Sequence, residues 1–469
     1  MNLHLVAGAC ALALAAHTSL AAQASFTEIP GAIACTDITP DGATVLMTNY
    51  QTGDVWLWTA AGGLQPIGLA TSAEGLASDG LTVAAARPVG SYEMASRWTL
   101  GGNWQDLGGL TPGEVGCQPF LSSSFDISGD GSTVVGLAWE GCHGRAFRWT
   151  QAGGMVELPQ IGPNSARANA ISNDGLTIGG WDEDPAGPRR PAIWFPDGSE
   201  QLIGGLGNAG EVHVLSDDGS VAAGEWNGLA MYWTAPTGLV VLGLLPGGFG
   251  FEQAAVFAMT GDGQMLGGNS GEGGPFASGF RAFVWTPGSG MEDLKARLVA
   301  EGAAVPDDFR IGNVLGISDD GRTVVGWGED LSGAFAEQRA YVATLAPQGW
   351  FVAGAGLAGA AGTPALTGTG PRIPGTAAVL SIKGGAPDAP VWVVGGLSRV
   401  DMPFHGGVLV PAPDALALLA LDATGALDVK FRWPAGLASG SSLYWQAWVS
   451  DASAASGYAA TNGLQSLVP

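Results

Sequence analysis

The sequence predicts an all-β chain, a seven-bladed β-propeller followed by a C-terminal antiparallel β-sandwich. Three observations carry that expectation. An Asp-Gly pair between two apolar runs returns at Asp41, Asp79, Asp130, Asp174, Asp218, Asp262 and Asp320, with successive gaps of 38, 51, 44, 44, 44 and 58 residues. A phrase ending in Trp-Thr follows it at Trp58, Trp98, Trp149, Trp233 and Trp285, with Trp194-Phe195 and Ala343-Thr344 as variants. Beyond residue 363 the repeat stops and alternating strand patterns take over. A period of forty-odd residues that carries short apolar strands is the mark of a propeller, in which no blade buries its faces without its neighbours.

Within one copy the order is apolar run, Asp-Gly turn, apolar run, variable loop, aromatic strand, Gly-containing turn and a last short strand. The third copy shows it over 125–158. β-Branched and aromatic residues dominate the runs, as strands prefer. The Asp-Gly pair is expected to supply the positive φ angles of a primed hairpin turn. The recurring Trp is expected to wedge between adjacent blades. Segment 25–29 is expected to complete the seventh blade beside 339–344, with 349–352 as the rival strand.

Residues 1–24 contain no Lys, Arg, Asp or Glu, hold an apolar run over 3–16, and end in Ala22-Gln23-Ala24. They are expected to be a cleaved secretory signal peptide, the run being short for a membrane span; a retained anchor is the competing reading. The propeller then occupies 25–350, a Gly/Ala-rich linker 351–362, and the sandwich module 363–469. Strands are expected at 378–382, 391–394, 407–410, 416–421, 427–433 and 443–449. No later stretch reads as transmembrane, so no membrane span is expected once the signal is removed. The localisation expected is secreted, at the cell surface or in the periplasm.

Charge is uneven. The chain carries −24 overall; residues 25–350 hold 13 basic and 36 acidic side chains, whereas 351–469 hold 5 and 6. Without a basic cluster, no nucleic-acid partner is expected. Three cysteines remain after residue 24. Cys117 and Cys142 flank the first two strands of the third blade and form the disulfide candidate, which leaves Cys35 over; three free thiols are the alternative.

The repeats resemble the HAF family of bacterial extracellular repeats, whose phrase is an Ile-Ser-x-Asp-Gly turn, Val-Val-Gly, Ala-Phe-x-Trp and Gly-Met-x-x-Leu. The stretches 126–158 and 258–294 match closely, and the resemblance covers about 37–345. Copies one and two depart at Met47 and Ala85, and copy seven lacks the Trp. The resemblance implies a secreted propeller-like protein and transfers no catalytic residue. The ending from 445 to 464 looks like the small C-terminal β-module of many secreted bacterial proteins, which suggests a surface, export or accessory role.

Candidate chemistry is sparse. The Asp-Gly sites offer too few oxygen ligands for calcium. His143, His213 and His405 are scattered and make no metal set, so neither metal nor cofactor is expected. The loops 137–144, 181–190, 225–229, 269–279 and 327–338, with 109–124 and 295–313, vary in length and are expected to share one face, where binding usually sits. They carry the candidate ligand-binding set Trp139, Trp181, Asp182, Asp184, Glu225, Trp226, Trp327, Glu329 and Asp330, beside Glu140 and Glu183. Rings that stack on sugars next to carboxylates that accept hydroxyl hydrogens suit a glycan or a peptide. Arg145, Arg190, Arg281 and Arg339 recur at the start of the third strand, and are expected to pair with neighbouring acids. The leading expectation is a non-enzymatic extracellular binding protein with a glycan or protein ligand. A glycan-acting hydrolase or lyase, with Asp37 and Asp126 as inner-strand candidates, and a structural envelope component are the alternatives.

Overall fold

The computed structural model describes residues 24–111, 120–185, 187–246, 253–272, 279–346, 350–360, 362–369, 372, 374–438, 441–454 and 456–468. The signal-peptide reading and Cys117 lie outside them. Two compact units are present, Gln23–Ala346 and Pro347–Pro469.

The first unit holds seven four-stranded antiparallel sheets among the described residues. Their inner strands are Ala34–Ile38, Ser72–Leu76, Ser122–Ile127, Ala166–Ile171, Gly210–Leu215, Gln253–Met259 and Phe309–Ile317. Each inner strand contacts the next in chain order, and the seventh contacts the first, so the sheets form a closed ring. The closing strand is Ser25–Ile29, which pairs with Glu337–Thr344 in the register Ser25 to Thr344 and Ile29 to Ala340. The rival segment goes elsewhere: Trp350–Gly354 pairs with Gly463–Leu467 in the second unit.

One hydrophobic cluster fills each gap between neighbouring sheets. Trp98 packs against Leu46 and Leu57 of the preceding sheet, Trp149 against Ala84 and Ala95, Trp194 against Val135 and Ala146, and Trp233 against Ala170 and Ile193. The repeated Trp is therefore a wedge. In the seventh sheet Ala343 stands at the Trp position, and Tyr341, at the position of Phe147, fills the gap, fully buried, with its hydroxyl donating to the Asn313 carbonyl at 2.8 Å. Phe26 of the closing strand lies 5.7 Å from the Tyr341 ring and 5.0 Å from Phe309.

The Asp-Gly turn differs from the primed turn expected. Among the described residues only its Gly has positive φ, between 66° and 74° in all seven copies. In the third copy the Gly131 amide donates to the Ser128 carbonyl at 2.8 Å. The Asp130 carboxylate accepts from the Ser128 hydroxyl at 2.7 Å and the Ser132 amide at 2.9 Å. This is an Asx-type turn followed by a left-handed Gly, the longer of the common hairpin solutions. The hydroxyl sits two residues before the Asp in six copies; Ala77 replaces it in the second.

Every inner strand carries a β-bulge. The unpaired residues are Thr36, Glu74, Phe125, Asn169, His213 and Phe257, with Gly312 and Leu315 in the seventh sheet. The glycine of the Val-Val-Gly phrase faces this bulge. A Cβ on Gly136, Gly180, Gly224, Gly268 or Gly326 would stand 1.9 to 2.1 Å from the carbonyl oxygen opposite. In the first two sheets Met47 and Ala85 stand there, and the backbone accommodates them.

The second unit contains a six-stranded sheet and a three-stranded sheet. Leu366, Leu380 and Ile382 of the smaller pack with Val391, Val393, Ala447, Val449 and Leu464 of the larger in one core. All six strands expected there are present, as Ala377–Lys383, Pro390–Gly396, Gly407–Pro411, Ala415–Ala420, Leu427–Arg432 and Ser442–Ser450. Ala365–Thr369 and Arg399–Phe404 are additional. The one helix among the described residues, Leu294–Ala300, occupies part of the expected 295–313 loop, capped by Asp293 accepting from the Ala296 amide at 3.0 Å.

Candidate functional site

The inner strands enclose a channel of about 710 Å³. Thr36, Glu74, Phe125, Asn169, His213, Phe257 and Leu315 all line it, so every sheet contributes a bulged residue to the wall. A bulge leaves its extra residue outside the ladder and re-aims its side chain, which is why such positions serve sites.

At one end the Asp-Gly turns draw together. Ser78 donates its amide to the Gly129 carbonyl, Gly129 to Asn173, Asp217 to Gly261 and Asp319 to Pro40, at 2.8 to 3.0 Å. The Ser78 hydroxyl reaches past the third sheet to Asn173 Oδ1 at 2.6 Å. A Cβ at Gly129 would stand 1.4 Å from that Asn173 oxygen. The other end is the open mouth, lined by Thr48, Tyr50, Thr71, Trp327 and Gln338.

The carboxyls of the wall divide into two kinds. Asp37 is a clasp between sheets: Oδ1 accepts from the Ile38 amide and Oδ2 from Leu76 of the next sheet, both at 2.7 Å. Asp126 repeats the device with Ile127 at 2.7 Å and Ile171 at 2.8 Å. Burial pushes Asp37 up to about 7 against these two donors. Asp126 is raised well above the usual range by burial and by the charges of Asp37 and Glu74. Glu74 has no backbone clasp. Enclosure by the walls pushes it up to about 7, against the attraction of Arg167 and a bond to Ser72. Its side chain is exposed to the channel, and solvent there tempers the effect.

Arg167, on the inner strand of the fourth sheet, belongs to a compensated group. Arg167 donates to Glu211 at 2.6 Å and to Asn169 at 2.5 Å, with its guanidinium 4.8 Å from the Phe125 centroid. Asn169 in turn donates to Glu211 at 3.2 Å and the Val212 carbonyl at 2.8 Å. Burial alone would raise Glu211, but Arg167, His213 and Arg189 hold it below the usual range. His213 stacks on Phe257 with centroids 4.7 Å apart, and burial lowers it to about 4, so it is neutral at physiological pH.

Eight of the nine candidate residues named from sequence occupy strands, not loops, because the second and third strands of these sheets keep pairing past the expected ends; Asp184 lies one residue beyond its strand. Trp139 lies in Thr133–Glu140, Trp181 and Asp182 in Ile178–Glu183, Glu225 and Trp226 in Val221–Trp226, and Trp327, Glu329 and Asp330 in Thr323–Asp330. Of the nine, Trp327 alone lines the channel. Trp181 is 3% exposed beneath Arg189, whose guanidinium is 4.3 Å from its ring. Asp182 is buried and accepts from the Ile161 and Gly162 amides; buried Asp184 pairs with Arg190 at 3.0 Å. Trp226 packs over Gly204, and Glu225 is raised by burial and by Glu211. Glu329 pairs with Arg310, and Asp330 accepts from the Ser332 amide at 2.9 Å. Trp139 lies 6.3 Å from Phe120.

Arg145, Arg190, Arg281 and Arg339 pair with Glu140, Asp184, Asp293 and Glu337. Cys142 is disulfide-bonded, and Cys35 is a buried free thiol donating to the Tyr341 carbonyl at 3.2 Å. No group of three metal-type ligands occurs among the described residues. Sequence reading missed Glu74, Phe125, Asn169, His213 and Phe257 as a set. Their common signal was their place, two residues before the last apolar residue of each inner strand.

A closed ring of four-stranded sheets around an axial channel defines the class: this is a β-propeller. No protein-family model and no curated protein matches the chain. Solved structures that resemble it include the β-propeller domain of Swd1 from Myceliophteria thermophila, at 10% identity over 69% of this chain and 99% of that one, TM-score 0.45. The β-propeller domain of the trilobed protease from Pyrococcus furiosus has 10% identity over 68% and 95%, TM-score 0.42. TolB from Acinetobacter baumannii has 13% identity over 53% of this chain, TM-score 0.36, and the match spans 62% of TolB's length. The class assignment stands on the sheets themselves.

Proposed function

We propose that this chain is a secreted, non-enzymatic seven-bladed propeller of the HAF repeat class, joined to a C-terminal β-sandwich, that binds an extracellular ligand in its axial channel. The observation that carries the reading is the ring of bulged residues: seven sheets each contribute one side chain, acidic, polar, aromatic or aliphatic, to the wall of one cavity. Cavities of several hundred Å³ with mixed polar and aromatic walls are where small ligands seat. Entry is by the mouth beside Tyr50 and Trp327. The nine residues first named lose their priority to this wall, with Trp327 kept at its edge. The hydrolase alternative is weaker, because both oxygens of Asp37 and of Asp126 are engaged in clasps. Cys117 is the partner we assign to Cys142.

Calorimetric titration of the mature protein with extracellular oligosaccharides and peptides tests the reading. Binding that weakens in Phe125→Ala and Asn169→Ala, without bond cleavage, is expected. Binding indifferent to both substitutions, or released product, would overturn it. Amino-terminal sequencing of the exported protein, expected to begin after Ala24, tests secretion.

A further inference from the structure

The chemistry of the channel wall narrows what it takes, granted that the channel is the binding site. Five carboxyl groups line it, those of Asp37, Glu74, Asp126, Asp217 and Asp319, against one guanidinium, Arg167, already tied to Glu211. His213 adds no positive charge, being held neutral. The first unit as a whole carries the chain's acidic excess. Burial holds Asp37, Glu74 and Asp126 toward their neutral forms, and a cation entering the cavity would favour their ionised forms. Apart from Arg167, no Lys or Arg lines the wall among the described residues.

Two observations independent of the acids indicate what kind of cation. Phe125 and Phe257 stand in the ring of bulged residues with Glu74, and Arg167 already lies over the Phe125 face, so one cation is seated on an aromatic ring within this wall. Aromatic faces attract organic cations and give a bare metal ion nothing to coordinate. Thr48, 3% exposed, also lines the wall and has a hydroxyl without a hydrogen-bond partner, a polar group left unsatisfied at this cavity. The carboxyls are spread round the ring, and no three metal-type ligands gather among the described residues. A volume of about 710 Å³ suits a molecule.

We propose that the channel binds an alkylammonium group, with Glu74 as its counter-ion and the phenyl rings of Phe125 and Phe257 as its apolar flanks. Glu74 takes this role because the other two inner-strand acids that line the channel are spent on clasping neighbouring sheets, whereas its side chain is exposed to the cavity. The group arrives either on a small diffusible amine or on a lysine side chain of a peptide.

The test titrates the full mature protein by calorimetry with 1,4-diaminobutane, with its neutral counterpart 1,4-butanediol, with a Gly-Lys-Gly peptide and with a neutral disaccharide. Saturable binding of the diamine or the lysine peptide, weakened by salt and absent for the diol, is expected. Glu74→Gln should weaken it by roughly tenfold or more, the scale of losing one charge-assisted bond, at an unchanged melting temperature. The diamine reports a small amine as the source, and the peptide alone reports a basic side chain. Equal binding of diamine and diol, or unchanged affinity in Glu74→Gln, overturns the ammonium assignment. If the disaccharide alone binds and Phe125→Ala abolishes it, the assignment falls and the channel reading stands. If no ligand binds, both fall.

Discussion

The two ends of the channel are built by the same seven repeats and differ in kind. At the turn end, backbone amides and short side chains pass hydrogen bonds from sheet to sheet, and Gly129 leaves room for Asn173 to meet Ser78. At the mouth, sheet-to-sheet backbone bonds such as Ala340 to the Ala32 carbonyl at 3.2 Å are joined by bonds between long side chains, as in the 2.5 Å bond from the Tyr50 hydroxyl to Gln338. The difference teaches where this repeat is constrained. The turn must close a hairpin and also touch its neighbour near the axis, so Ser-x-Asp-Gly admits little change. The far ends of the strands need only continue a ladder, which leaves their sequence freer to differ from sheet to sheet.

Several substitutions would sharpen or break that contrast. The largest effect is expected at the turn end, where Gly129→Val forces a side chain into the Asn173 amide; overpacking of this kind costs about 1–3 kcal/mol, read by denaturant titration. Stability within 0.5 kcal/mol or so of the parent would mean that the turns do not hold the ring together. Asp126→Asn in mid-channel should follow, at about 1–2 kcal/mol, because an amide accepts with one oxygen where the carboxylate accepts with two.

A pH scan refines the same point. Asp37 is pushed up to about 7 in the folded protein from an ordinary 3.8, so between those values the folded state holds a proton that the unfolded chain has shed. Its contribution is full below about pH 4 and is lost as pH rises through 7. His213 works the other way. Lowered to about 4, it stays neutral where the unfolded chain is protonated, so its share of stability grows from pH 4 to its ordinary 6.5. Melting curves of Asp37→Asn and His213→Gln against the parent should differ in slope across pH 4–7, with opposite signs. The smallest effect is expected at the mouth, where Tyr50→Phe removes one exposed hydroxyl and should shift stability by less than about 0.5 kcal/mol.

Much of the fold could be read from the chain. The Asp-Gly recurrence located every inner hairpin, the Trp positions located the wedges, and segment 25–29 completes the seventh sheet. What escaped was conformational detail that period-2 patterning does not encode. A bulge adds one residue without altering composition, so Phe125 and His213 read as ordinary strand residues while their side chains line a cavity. The Val-Val-Gly glycine was the available clue, since a strand interior lacking a side chain signals a close backbone approach. The candidate site failed for a related reason. Trp181, Asp182 and Asp184 looked exposed because they flank Gly- and Pro-rich sequence, yet the ladder runs on through Glu183 and buries them with Arg189 and Arg190.

The pairing of Ser25–Ile29 with Glu337–Thr344 sets an order of events. The earliest of these strands to be synthesised has no partner until more than three hundred further residues exist, and loop closure on that scale comes late. Until then the seventh sheet lacks its outer strand, and the hairpin meant to receive it presents an open edge to any other chain nearby. Maturation of this ring therefore waits for the whole of the first unit, and a chain truncated anywhere before Thr344 is expected to remain sticky rather than to fold as a smaller ring.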